Sequence, residues 1–190
     1  ADLLLSIEEE AGRLNRFVAN LFEISRIESG ILRARRQPVP VGDAMASAVG
    51  RARRLHPQMV VEISLADPAP TALADLALLE QVLFNLLDNA AKYASGQPIN
   101  IYARADADMA IITITDQGKG IPEADLDRIF DKFYRRAKGD GRQAGTGLGL
   151  AIARGLLTAM GGTIAAESPA VRRRGTRFVI RLPLAGAPAP

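Results

Sequence analysis

The sequence of 190 residues has no cysteine, no tryptophan and a single histidine. Without cysteine the chain cannot form disulfides, iron–sulfur clusters, thiolate-bound zinc or a thiol nucleophile, and one histidine excludes multi-histidine metal sites. No uncharged apolar run approaches the roughly 20 residues of a membrane-spanning helix, and no signal peptide is visible. The chain begins at Ala1 within a helical pattern, so we expect a fragment of a longer protein.

Hydrophobic residues make up 48% and charged residues 24% of the chain, and the net charge is +3. This composition is typical of a globular protein with a sizeable core, and its small basic excess suits an anionic ligand. The length favours one domain with an appendage. We expect an N-terminal helix over 1–30, a linker over 31–40, a folded domain over 41–184 and a disordered tail over 185–190.

Apolar residues recur at alternating spacings of three and four along the first thirty residues, as in the contact face of a coiled coil or helical bundle. These positions are Leu4, Ile7, Ala11, Leu14, Val18, Leu21 and Ser25. Phe17 and Ile24 flank and widen this face, and Gly30 stands where a C-terminal cap is expected. We expect the face to pack against a segment outside the chain; a helix packed on its own domain is the alternative.

The rest of the chain mixes helices and strands without regular βαβ alternation. Helical patterns cover 43–55, 75–94, 122–130 and 148–160, and strand patterns cover 60–65, 99–104, 110–115, 163–167 and 176–182. We therefore predict an α+β fold, a two-layer sandwich in which helices cover one mixed sheet.

The helix that follows Asp75 carries a polar stripe. Asn85, Asn89 and Lys92 fall on one helical face, while the leucines between them cover the core sides. Two amides and an ammonium are costly to bury without partners. They suit a magnesium–phosphate group, with amide oxygen for the cation and ammonium for the phosphate charge. An exposed polar helix face is the alternative.

Two loops carry glycine-rich motifs. Asp116-Gln-Gly-Lys-Gly-Ile-Pro122 follows a strand, where glycines let the backbone approach a flat ligand and a carboxylate can accept from an exocyclic amine. Taken alone, this motif is typical of a turn. Gly145-Thr-Gly-Leu-Gly-Leu150 opens a helix whose free amides form an anion site. Its spacing fits neither the dinucleotide fingerprint nor a Walker loop.

The segment between these motifs has the composition of a lid. Phe130-Asp-Lys-Phe-Tyr-Arg135 is an aromatic and basic cluster that would anchor one end of the lid. The alternative is a satellite hydrophobic cluster. Residues 137–146 follow, with several glycines and few apolar side chains to fix them. We expect this segment to be mobile without a ligand and to become ordered over a bound triphosphate.

In this order, the motifs closely resemble the N, G1, F and G2 boxes of the histidine-kinase ATP-binding domain, a member of the GHKL superfamily with gyrase, Hsp90 and MutL. The resemblance extends to Gly175-Thr-Arg-Phe178 and implies the Bergerat ATP-binding fold. Residues 13–21 and 25–30 are similar to the second helix of the dimerisation and phosphotransfer hairpin. Residues 80–90 and 128–135 are especially similar to the potassium-responsive, osmosensitive sensor kinases.

The resemblance implies a role for each motif residue. Asn89 would ligate Mg²⁺ with support from Asn85, Lys92 would contact phosphate, and Asp116 would bind the adenine amine. Further contacts along the nucleotide, in the adenine pocket and over the phosphates are implied for Tyr93, Gly118, Gly120, Ile121, Phe130, Lys132, Gly145, Thr146, Gly147, Leu148, Gly149 and Thr176. Gyrase-like ATPases carry a water-activating glutamate where this chain has Asn85, and an amide is a poor base. Transfer to another side chain is therefore favoured over hydrolysis.

The implied function is the ATP-binding, catalytic part of a sensor histidine kinase, with ATP and Mg²⁺ as cofactors. Phosphate would pass to a histidine on a hairpin helix missing from this chain, and then to a response regulator. The full-length protein would be a homodimer, held at the membrane by upstream segments, with this part in the cytoplasm. His56 lacks the acidic helical context of an acceptor, so we expect it at the surface. A GHKL protein-serine kinase and a catalytically silent nucleotide-binding or dimerisation module are the alternatives; scattered arginines disfavour nucleic-acid binding.

Overall fold

The computed structural model describes residues 2–94, 96–135, 146–171 and 174–186. The elements in chain order are α1 (Asp2–Glu28), β1 (Gln37–Pro40), α2 (Val41–Leu55), β2 (Val61–Leu65), β3 (Thr71–Ala74), α3 (Leu76–Tyr93), β4 (Ile99–Asp106), β5 (Met109–Thr115), α4 (Gly149–Ala159), β6 (Thr163–Glu167) and β7 (Arg177–Pro183).

The main sheet has the strand order β2-β4-β5-β7-β6. β2 and β4 are parallel, and the other neighbouring strands are antiparallel. Side chains alternate between the two faces of each strand, so that Ile99, Ile101 and Ala103 of β4 are buried while Tyr102 is exposed. Helices α2, α3 and α4 pack on the buried face. The predicted two-layer α+β fold with a mixed sheet is confirmed.

Helix α3 is fixed between the sheet and its neighbouring helices. Its inward side chains Leu79, Leu83 and Leu86 are fully buried, and each such side chain contributes about 1.5–3 kcal/mol. The N-cap is Asp75, whose Oδ1 accepts from Leu78 N at 3.3 Å and whose Oδ2 accepts from Arg35 N at 3.0 Å. The polar stripe of α3 is therefore held in a defined position relative to the sheet.

A two-stranded antiparallel ribbon of β1 and β3 was not predicted from the sequence. Its pairing runs from Gln37–Ala74 to Pro40–Thr71, which places β1 within the expected linker 31–40. The prolines in and before these strands hid them, because proline lacks an N–H and is confined to strand ends and edges.

Two shorter segments also depart from the expected pattern. The helix expected over 122–130 forms two separate 3-10 helices, Glu123–Asp125 and Arg128–Phe130. In the tail expected over 185–190, Ala185 N donates to the carbonyl oxygen of the first β3 residue at 2.9 Å. Residues 187–190 lie outside the described residues.

The C-terminal part of α1 packs against α4. Ile24 is buried, and a β-carbon on Gly155 would lie only 2.7 Å from Ile27 Cγ2. The glycine therefore permits close contact between the two helices. The predicted coiled-coil face points elsewhere, and its exposed members include the large apolar side chains of Ile7, Leu14, Val18 and Leu21. Within the described residues, no helix has the length and apolarity needed to cross a membrane.

Candidate nucleotide-binding site

Asp116 directly follows β5, and only 3% of its surface is exposed. Its Oδ1 accepts backbone hydrogen bonds from Gly118 N at 2.8 Å and from Thr176 N at 3.3 Å. Its own N–H donates to Thr176 O at 2.9 Å and extends the β5–β7 pairing by one residue. No donor within the described part of the chain contacts Oδ2. This second oxygen is available to an amine of a ligand.

Burial raises the pKa of the Asp116 carboxyl above its ordinary value of 3.8, because apolar surroundings disfavour the charged form. The N–H groups of Gly118 and Thr176 lower the pKa, but burial has the larger effect. A buried carboxylate has lost its hydrogen bonds to water. A ligand that donates a hydrogen bond to it therefore gains binding free energy. A perturbed carboxyl in such a position is typical of functional sites.

Close contacts between backbone segments shape the loop around Asp116. Gly175 has a φ of +74°, and a β-carbon there would lie 2.0 Å from Asp116 O. A β-carbon on Gly118 would lie 2.2 Å from Tyr93 O, because the end of α3 rests against this loop. Gly175 N donates to Gly118 O at 2.8 Å. The two positions therefore require glycine.

Ser168 supports this loop and was missed by the sequence analysis. Its hydroxyl accepts from Ile121 N at 2.8 Å and donates to Gly175 O at 2.9 Å. It also lies close to Gly120, whose φ is +75° and whose β-carbon would come within 2.7 Å of Ser168 Oγ. The hydroxyl thereby joins Ile121, a predicted site residue, to the turn before β7. A serine in the β6–β7 connection belongs to none of the motifs, so no pattern could identify it.

The two asparagines of α3 have different surroundings. Asn85 is buried; its Nδ2 donates to Gly149 O at 3.2 Å and its Oδ1 accepts from Gln81 Nε2 at 3.0 Å. Asn89, about one turn further along, is half-buried, and its amide makes no hydrogen bond to any described residue. Asn85 therefore connects α3 to the start of α4, while Asn89 is available to a ligand.

The chemistry of Asn89 fits a hard divalent cation. An amide oxygen is a ligand that Mg²⁺ accepts, and Mg²⁺ usually combines one or two protein ligands with phosphate oxygens and water. Among the described residues, no group of three or more His, Cys, Asp or Glu side chains could hold a metal. A magnesium ion at Asn89 would therefore share its coordination with the phosphates of a nucleotide.

Lys92 pairs with Asp88 on its own helix, through Asp88 Oδ2. The other oxygen, Oδ1, lies 2.8 Å from His56 Nε2 at the end of α2. His56, which we expected at the surface, is partly buried: 25% of its side chain is exposed, because α2 ends against α3. The predicted phosphate lysine is therefore part of a three-residue cluster.

The aromatic and basic cluster divides between core and surface. Phe130 is buried and packs edge-to-face on Phe178, with ring centroids 6.4 Å apart. Phe133 and Tyr93 are exposed. Lys132 pairs with Glu28 at the end of α1. Phe130 is therefore the anchor of this segment, and Lys132 is held toward α1.

The glycine motif before α4 lies beside the aromatic cluster. Phe133 N donates to Gly147 O at 3.0 Å, which brings the two flanks of the intervening segment together. Gly147 has a φ of +71°. Thr146 Oγ1 accepts from Leu148 N at 3.3 Å and from Asn20 Nδ2 of α1 at 3.4 Å. Leu148 is fully buried.

The expected lid falls almost entirely outside the described residues. Residues 136–145, including Gly145, are not among them. At the start of α4, the first amides have no acceptor within the helix, and a β-carbon on Gly149 would meet no atom within 4 Å. These amides could therefore donate to an anion.

A groove of about 460 Å³ lies on the opposite, open face of the main sheet. Its lining includes Tyr102, Arg104, Arg177 and Arg181. None of the predicted site residues lines it, because they lie at the strand ends and on the helices of the other layer. The candidate site is therefore the region between Asp116, the stripe of α3 and the start of α4.

The sequence profile of the histidine kinase-, DNA gyrase B- and HSP90-like ATPases matches residues 74–186. The chain belongs to this family. The matched region holds every residue of the candidate site, from the polar stripe of α3 to Thr176. The chain therefore carries the domain that defines this family.

Curated relatives agree with this assignment. The sensor protein KdpD of Mycobacterium tuberculosis is 34% identical over 170 residues, which cover 87% of this chain and 20% of that protein. The KdpD protein of Escherichia coli is 35% identical over 185 residues, which cover 96% of this chain and 20% of that protein. The alginate biosynthesis sensor protein KinB of Pseudomonas aeruginosa is 31% identical over 191 residues, covering 97% and 31%. The chain thus spans a fifth to a third of the length of these relatives, and its resemblance to the KdpD group is confirmed.

Solved structures of sensor kinases share the fold. The mycobacterial sensor histidine kinase MprB superimposes with a TM-score of 0.70 at 30% identity, covering 78% of this chain and 98% of that one. Full-length ShkA, solved in complex with AMPPNP, superimposes with a TM-score of 0.82 at 26% identity, covering 99% of this chain and 39% of that one.

Proposed function

We propose that this chain binds ATP with Mg²⁺ and transfers the γ-phosphoryl group to a histidine outside it, leaving ADP. The observation that carries this choice is the state of Asn85. Both ends of its amide are engaged, by Gln81 Nε2 and by Gly149 O. An amide held in this way is not a base that could activate water at this position. The site is therefore suited to holding ATP for a second side chain rather than to hydrolysing it.

The described residues divide the nucleotide between two ends of the site. Asp116 Oδ2 would accept from the adenine amine, which selects adenine over guanine because guanine presents a carbonyl oxygen at that position. Asn89 would hold Mg²⁺, which when bound offsets phosphate charge. Lys92 and the amides at the start of α4 would contact phosphate oxygens.

The proposal extends to the parts of the signalling protein around this chain. Residues 1–30 would be the second helix of a dimerisation hairpin, residues 31–40 a linker whose last residues form β1, and residues 41–184 the catalytic domain. The exposed face of α1 around Leu14 supports a helical partner there. The phosphoacceptor histidine would lie on the first hairpin helix, and the phosphoryl group would pass on to a response regulator. Membrane attachment and a potassium-linked stimulus would belong to further segments.

A labelling experiment tests the transfer. With [γ-³²P]ATP and Mg²⁺, we expect no label on the chain itself and acid-labile label on an added hairpin fragment that carries the acceptor histidine. The same fragment with that histidine replaced by alanine is the control. Label at His56 would contradict the proposal, and acid-stable label on a protein serine would favour a serine kinase.

A further inference from the structure

The cluster of His56, Asp88 and Lys92 connects two helices beside the candidate site. His56 is the single histidine of the chain and follows α2, whereas the other two residues lie on α3. The exposed fractions of the side chains are 25%, 21% and 29%. The cluster therefore has less contact with water than an ordinary surface ion pair, and its hydrogen bonds are correspondingly stronger.

The hydrogen bonds of the cluster fix the carboxylate of Asp88. A carboxylate only accepts, so His56 Nε2 donates to Oδ1 across 2.8 Å, and the Lys92 ammonium donates to Oδ2. No other described residue donates to Asp88. Without His56, the carboxylate would be free to turn about its last torsion, and Lys92 would lose a fixed acceptor.

The ammonium of Lys92 can serve Asp88 and a ligand together. It carries three donors, and one bond to Asp88 leaves two for phosphate oxygens. Asn85, Asn89 and Lys92 lie along the same stripe of α3, so an ammonium held there stays beside the free amide of Asn89. A side chain that is already ordered loses less conformational entropy when the ligand binds.

We propose that His56 is a positioning residue for phosphate binding: through Asp88 it orients Lys92 beside Asn89. This proposal rests on the proposed function, in which Lys92 contacts phosphate. His56 touches no ligand atom itself. Since Asp116 holds the base at the other end of the site, His56 contributes to the affinity for phosphate groups and not to that for adenosine.

Calorimetry on the 190-residue chain tests this, with AMPPNP plus Mg²⁺ and with adenosine as the two ligands. His56→Leu removes the donor and should weaken AMPPNP binding about three- to tenfold, while adenosine binding stays unchanged; the loss is smaller than that of a direct charge-assisted hydrogen bond because it reaches the ligand only through Asp88 and Lys92. His56→Gln keeps an N–H donor of similar reach and should restore most of the affinity. In an Asp88→Asn background, His56→Leu should add no further loss, because the two changes break one connection.

Arg53→Met is the matched control. Arg53 lies in the last turn of α2 and its Nη2 donates to Val61 O at 3.4 Å, without contact to Asp88. This variant removes a side-chain contact from the same end of α2 and should bind AMPPNP like the wild type. Thermal melts of all variants show whether each one is folded.

The outcomes separate this proposal from the proposed function. A wild-type chain that binds no AMPPNP contradicts the proposed function itself. A wild type that binds, with a His56→Leu variant that binds equally well, overturns the positioning role alone. Equal losses for AMPPNP and adenosine, or a His56→Gln variant as weak as His56→Leu, would also overturn it and leave His56 as a structural contact between helices.

Discussion

The proposed base side of the site lies around Asp116, and its proposed phosphate side lies along α3 and α4. The two sides are held in place by different kinds of hydrogen bond. On the base side, Asp116 is fixed by the backbone of Gly118 and Thr176, with Gly175 closing the loop. On the proposed phosphate side, Lys92 is held by the side chain of Asp88, which also contacts the side chain of His56 after α2. Backbone hydrogen bonds next to a sheet are fixed once the sheet forms, whereas side chains keep rotamer freedom.

This difference indicates how each half can respond to a ligand. The base side should recognise adenine with little rearrangement, because its acceptor is already oriented. The phosphate side depends on packing of α1 and α2, which contribute Asn20 and His56 to contacts with site residues or their partners. Signals carried by these helices would therefore act on phosphate binding rather than on base recognition.

The largest effect should come from Gly175→Ala, which breaks the base side directly. The positive φ and the 2.0 Å approach to Asp116 O leave no place for a β-carbon. We expect a loss of about 3 kcal/mol in the free energy of unfolding. Gly50→Ala in α2 is the control, since a β-carbon there would meet no atom within 4 Å; it should gain about 0.5–1 kcal/mol. Urea denaturation measures the free energy of unfolding of both variants. Similar values for the two would contradict the conclusion that close backbone contacts fix the loop around Asp116.

Asp116→Asn should separate stability from binding on that same side. The amide can still accept from Gly118 N and Thr176 N, but its NH₂ group would face the adenine amine, so ATP affinity should fall about tenfold or more and the preference over GTP should disappear. Calorimetry with ATP and GTP measures this. Undiminished ATP affinity would contradict the proposed contact.

The same substitution should change the pH dependence of stability. Because burial raises the pKa of Asp116 from 3.8, the folded protein holds this proton more tightly than the unfolded chain. Stability from the protonated carboxyl is present below pH 3.8 and is lost as the pH rises through the folded-state pKa. Asparagine does not titrate, so the melting temperature of the variant relative to wild type should rise with pH and then level off. A relative melting temperature that falls with pH would contradict this sign.

Asn89→Ala tests the phosphate side, with Asn85→Ala as its counterpart. Asn89 has no described partner, so its loss should leave stability within about 0.5 kcal/mol while weakening ATP binding about tenfold with Mg²⁺ and little without it. Asn85→Ala should cost about 1–2 kcal/mol of stability, because it leaves Gly149 O and Gln81 without their partner. Calorimetry with and without Mg²⁺ and urea denaturation test both. Equal weakening in both metal conditions would contradict a role for Asn89 at the cation.

On both sides, sequence reasoning predicted the site residues but not the residues that hold them in place. The strand that ends at Asp116 and the polar stripe of α3 were predicted, since periodicity places side chains on faces. The partners of those residues were not, because pairings such as Ser168 with Ile121, or His56 with Asp88, join positions far apart in the sequence. Hydrophobic patterns also missed β1 and β3, where proline and short length conceal a strand.

The smallest effect should come from Glu28→Gln, which removes the partner of Lys132 at the junction of α1 with the phosphate side. The side chains of Lys132 and Glu28 are 43% and 53% exposed, so the stability change should stay below about 0.5 kcal/mol. If Lys132 contacts phosphate, as its place in the motif predicts, removing a competing carboxylate should raise ATP affinity by about twofold at low salt. The gain should shrink at about 0.3 M salt, where exposed charges are screened.

Glu23→Gln is the control, because Glu23 pairs with Arg26 on α1 itself at 3.6 Å and should leave the affinity unchanged. Calorimetry at both salt concentrations compares the two variants, and equal affinities at low salt would mean that Lys132 serves to hold α1 and contributes nothing to the nucleotide.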